Sequence, residues 1–103
     1  MTVTVVNKYK EPNHIYCGRG SPVGNPYLIS KHLDRDAVCD LYEKWFNKEM
    51  LKKYSTVTSF VNNLVALAHI QDINLGCFCA PRKCHCDTIK KYIDNQLERN
   101  NES

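Results

Sequence analysis

Two stretches that read as β-strands, residues 2–6 (TVTVV) and 73–79 (INLGCFC), stand far apart in a 103-residue chain, with helix-patterned sequence between and after them. That order constrains the fold more than any motif does. The first stretch is β-branched throughout. In the second, Ile73, Leu75, Cys77 and Cys79 alternate with Asn74, Gly76 and Phe78, the two-residue period of a strand. Between them, apolar residues at helical spacing predict helices over 34–52, opened by Asp34, and 58–71, opened by Ser55 or Thr58. A third is predicted over 87–98, with Asp87 as its cap and Ile89, Tyr92, Ile93 and Leu97 facing inward. Strands joined by helical crossovers pair in parallel. The expected fold is one α/β domain over residues 1–99, a short, mostly parallel sheet covered by about three helices, with a frayed polar tail at 100–103. Residues 14–17 (HIYC) read either as a second short strand or as the lead into a loop.

Charge and cysteine usage narrow the function classes. A net charge of +3 is small, and Lys48, Lys52, Lys53, Arg82, Lys83, Lys90 and Lys91 are scattered enough to read as a solvated face. Nucleic-acid binding through Arg19, Arg82, Lys83, Lys90 and Lys91 is therefore the weakest reading. No apolar run is long enough to cross a bilayer, and residues 1–10 lack the pattern of a secretory signal, so a cytoplasmic location is expected. In such a compartment the six cysteines stay reduced. Cys39 lies in a helix pattern and reads as a small buried hydrophobe.

Two irregular stretches carry the chemistry. Residues 18–26 (GRGSPVGNP) combine glycines that admit close backbone approach with Arg19, whose fork suits phosphate or carboxylate, and with Ser21 and Asn25. The spacing matches neither a Walker A loop nor G-x-G-x-x-G, so connector and ligand loop stay equally open on spacing alone. Residues 76–87 (GCFCAPRKCHCD) place four cysteines and a histidine in twelve positions. Alternation sets Cys77 and Cys79 on one side of a strand, Cα atoms roughly 6–7 Å apart. Cys84, His85 and Cys86 then crowd the start of the last helix, where the helix dipole favours thiolate. Cys77, Cys79, Cys84 and His85 would suit a tetrahedral zinc. Free thiols with a binding or catalytic role, and inert buried cysteines, are the other readings.

Residues 5–27 (VVNKYKEPNHIYCGRGSPVGNPY) and 75–87 (LGCFCAPRKCHCD) together resemble the two signature blocks of a small bacterial and phage family, domain of unknown function 4326. The resemblance puts Asn7, Gly18, Arg19, Gly20, Ser21, Pro22, Gly24, Asn25 and Pro26 on one motif. Cys77, Cys79, Pro81, Cys84, His85 and Asp87 fall on the other. Phe78 stands for the usual Trp and Cys86 for the usual Gly, so Cys86 looks dispensable to shared chemistry; Cys17 falls outside the motif. The second block is also similar to the closing βα unit of another uncharacterised Rossmann-like family, which implies a small Rossmann-like domain with a site at the sheet's carboxyl edge.

On this reading Asn7, Gly18, Arg19, Gly20, Ser21 and Asn25 hold a small anionic ligand of nucleotide or phosphosugar type. Cys79 and Cys84 supply a thiolate and His85 an acid/base, as in a transferase or hydrolase. The alternative is a non-enzymatic phage interaction protein that binds a host protein and whose last βα turn is held by zinc or buried thiols.

Overall fold

A computed structural model describes residues 2–18, 20–27, 34–53, 55–77 and 85–101. The chain forms β1 (Val3–Asn7), β2 (Ile15–Tyr16), α1 (Arg35–Met50), α2 (Thr56–Ala68), β3 (Ile73–Cys77) and α3 (Cys86–Asn101). The sheet is parallel throughout, in the order β1-β3-β2. This is the expected small α/β architecture, a three-stranded parallel sheet with three helices.

The apolar pattern explains which face is covered. Val3 on β1 and Ile73, Leu75 and Cys77 on β3 share one side through the register Val3↔Ile73, Val5↔Leu75, Asn7↔Cys77. They form one core with Tyr42 and Phe46 of α1, Val61, Leu64 and Ala68 of α2, and Ile89 and Ile93 of α3. Each large side chain removed from water here contributes about 1.5–3 kcal/mol. Cys39 is buried, as its helical position implies.

The opposite face is crossed by the connection between β1 and β2. Parallel strands that follow each other in sequence usually need a dozen or more linking residues; here seven, Lys8 to His14, suffice. β1 ends level with Cys77, while β2 begins level with Leu75, two rungs lower. The link therefore drops roughly 7 Å and moves sideways by about two strand spacings, roughly 10 Å. Asn74 Nδ2 donates to the Asn13 carbonyl at 2.9 Å, fastening the link to the strand it crosses.

Helix boundaries differ from the sequence expectation where two candidate caps compete. Ser55, not Thr58, caps α2: its Oγ accepts from Thr58 N at 2.9 Å. Thr58 is left inside the first turn, buried, with its Oγ1 2.8 Å from the Lys52 carbonyl and 3.0 Å from that of Glu49. One hydroxyl thus ties the end of α1 to the start of α2. Thr58→Val keeps the shape and deletes that tie; we expect it to cost about 1–2 kcal/mol in chemical denaturation. Unchanged stability would show that the hydroxyl contributes nothing net. Asp34 caps α1 as expected, accepting from Ala37 N at 2.8 Å. α3 starts one residue before the predicted cap, so Asp87 sits in its first turn, where its charge complements the helix dipole.

Candidate functional site

The three strands end at one edge of the sheet, and both irregular stretches leave from it. Cys17 N–H donates to the Gly76 carbonyl at 3.0 Å, continuing β2 to the brink of residues 18–26. Lys8 N–H donates to the Cys77 carbonyl at 2.8 Å, closing β1 against the last rung of β3. It is β2, not β1, that feeds the Gly-rich stretch, and β2 is too short for a two-residue period to be visible in the sequence.

His85 joins the two stretches. Its Nε2 lies 2.6 Å from the Cys17 carbonyl oxygen, and the residue is buried. A carbonyl only accepts, so Nε2 carries the proton and donates. In the neutral ring the lone pair is then on Nδ1, the nitrogen suited to take a proton or ligate a metal. Cys86 Sγ lies 3.8 Å from the same Nε2. Because that nitrogen is protonated, it cannot serve Cys86 as a base. Cys86 is instead fully buried in the core.

Tyr42 braces both stretches from α1. Its hydroxyl donates to the Val23 carbonyl at 2.7 Å, and its ring sits 5.1 Å from the His85 ring, tilted by 59°. Nothing in the helical spacing of Tyr42 announced this; the sequence marks it only as a core position.

Gly18 and residues 20–27 are internally organised. Ser21 N–H and Ser21 Oγ–H both donate to the Gly18 carbonyl, at 3.0 and 2.7 Å, and Gly24 N–H donates to the Ser21 carbonyl at 3.0 Å. Gly20 has φ of 93°, a conformation that demands glycine. Buried Asn25 accepts from Tyr27 N–H through Oδ1 at 2.9 Å. Asn7 caps the exit of β1 in the same way, its Oδ1 accepting from Tyr9 N–H at 2.9 Å. Two of the donors that Ser21 brings are thus turned inward. Arg19, Cys79 and Cys84 lie outside the described residues. Cys77 is buried on the core side of β3 at this same edge.

Cys17, Cys39, Cys77 and Cys86 are all buried. Among the described residues no group of three or more His, Cys, Asp or Glu side chains could hold a metal ion; of the four zinc-ligand candidates this covers Cys77 and His85. On α3, Lys90 pairs with Asp94, and Lys91 lies 3.9 Å from Glu43 of α1. No described helix is long and apolar enough to cross a membrane.

The family model for domain of unknown function DUF4326 matches residues 4–95, from β1 into α3. The chain belongs to that family. The chain is also similar to an uncharacterized 12.4 kDa protein in the nrdA-td intergenic region of enterobacteria phage T4. It is 33% identical over 93 residues, which cover 90% of this chain and 78% of the relative. No solved structure matches the chain. The DUF4326 match spans the edge where the strands end, including Asn7, the Gly-rich stretch and His85.

Proposed function

We propose that the carboxyl edge of the sheet binds a small anionic ligand of nucleotide or phosphosugar type, with His85 Nδ1 facing the reacting side. The observation that carries this reading is the His85 Nε2–Cys17 carbonyl hydrogen bond of 2.6 Å, which joins the Gly-rich stretch to the start of α3. Ligands of open parallel sheets bind where strands run into helix N-termini, and α3 directs its positive end to this edge. With Ser21 turned inward, Arg19 and the positive end of the α3 dipole are what we assign to the anion. Cys79 or Cys84 supplies the thiolate of a transferase or hydrolase, and a fixed Nδ1 is the form of histidine that accepts its proton.

Calorimetric titration with inorganic pyrophosphate tests the anion site. Arg19→Ala should weaken binding about tenfold or more, the worth of a charge-assisted pair, while thermal stability stays nearly unchanged. His85→Gln retains an N–H for the Cys17 carbonyl but has no proton-accepting nitrogen, so it should fold and bind while losing any thiol-dependent turnover. Equal affinity in Arg19→Ala, or no binding by the parent chain, overturns the reading. One zinc per chain after chelator-free purification would favour the metal-stabilised interaction protein instead, because Nδ1 is equally fit to ligate.

A further inference from the structure

Lys8, Tyr9 and Tyr16 gather where β1 and β2 end. Lys8 Nζ lies 4.8 Å from the ring centroid of Tyr16 and 5.0 Å from that of Tyr9. Tyr16 on β2 and Val6 on β1 flank the same β3 residue, Gly76, and Lys8 follows two residues after Val6. The phenol end of Tyr16 then lies against the first glycine of residues 18–26. A Cβ added to Gly18 would stand 2.6 Å from Tyr16 Cε1 and Oη. Gly18 is a glycine because a tyrosine ring occupies its side-chain space. Tyr9 is 79% exposed, although its backbone is held by Asn7.

The geometry points to a stacking subsite for an aromatic base, with Tyr9 as its outer face and Lys8 and Tyr16 behind it. This rests on the anion site described above and goes beyond it by selecting a nucleotide over a phosphosugar. An exposed ring on a fixed backbone offers a flat apolar face at small entropic cost, and every nucleobase presents a complementary π-face. A sugar does not. The cation held between the two rings adds positive charge on the side from which phosphates reach the Gly-rich stretch. Continuity is supplied by the Tyr16–Gly18 contact, which leaves no gap between the aromatic cluster and the start of that stretch.

Titration of the parent chain, Tyr9→Ala and Tyr9→Phe with ADP and with inorganic pyrophosphate tests this. ADP should bind more tightly than pyrophosphate. Tyr9→Ala should weaken ADP about fivefold to a hundredfold, the range for loss of one base–aromatic stack, and leave pyrophosphate unchanged. Tyr9→Phe should retain ADP affinity. If ADP and pyrophosphate bind alike, or if Tyr9→Ala affects both equally or neither, the base subsite is refuted while the anion site stands. If neither probe binds the parent chain, the anion site fails and the subsite falls with it.

Discussion

Tyr42→Ala should lower unfolding stability by about 3–5 kcal/mol, the range for emptying a large aromatic position in a packed core. The side chain is fully buried, with Trp45 at 5.5 Å and Phe46 at 5.9 Å between ring centroids, so little collapse into the space is open to it. Stability is only part of the expected loss. The Tyr42 hydroxyl is the group from α1 that holds Val23, and its ring lies against His85. Tyr42→Phe separates the two effects. It keeps the ring and leaves the Val23 carbonyl buried without that donor, which should cost about 1–3 kcal/mol. Anion affinity should fall in Tyr42→Phe by more than an equally destabilising Thr58→Val causes. Equal affinities in the two variants would show that Tyr42 supports the core but not the loop.

Gly76→Ala is expected to be the most damaging single-methyl addition in the sheet, at about 1–3 kcal/mol for overpacking. The new Cβ would run into the His14 ring, 2.6 Å from Cγ and 3.1 Å from the His14 Cβ. Swinging the ring aside breaks the hydrogen bond that His14 Nδ1 donates to the Glu11 carbonyl at 2.7 Å. His14→Ala alone should be mild. Combined with Gly76→Ala it should recover much of the loss, giving a coupling that a double-mutant cycle reads directly. Additive losses would mean that some contact other than His14 makes Gly76 necessary.

These two positions also mark how far the sequence can be read. The elements that repeat their pattern over several turns or rungs were legible: TVTVV, the alternation from Ile73, and the three helical stripes all appear near their expected places. β2 was legible only as an alternative, because two residues cannot display a period. Gly76 looked like one more polar-side strand residue. Its reason is a loop passing overhead, a tertiary fact that no local pattern carries. At the candidate site, His85 was found from its position in a thiol-rich turn before a helix. The group that orients it was not, because Cys17 acts through its carbonyl, and any residue there presents the same oxygen. Lys8, Tyr9 and Tyr16 lay within the quoted block without standing out, since their meeting depends on how β1 and β2 both pair with β3.

The position of β3 in the middle of the sheet has a consequence for how the chain acquires its structure. β1 and β2 never touch each other as ladder partners; each is hydrogen-bonded only to β3. During synthesis, residues 3–16 therefore leave the ribosome with no strand to join, and must wait for some sixty more residues before residues 73–77 can slot between them. Helices α1 and α2 can form in the interval, but their apolar faces have no sheet to cover. Loop closure on that scale puts the sheet late on the folding route and makes it an all-or-none event. A nascent chain stalled before residue 73 has the parts of the edge that carries the Gly-rich stretch, and none of the architecture that turns them into a site.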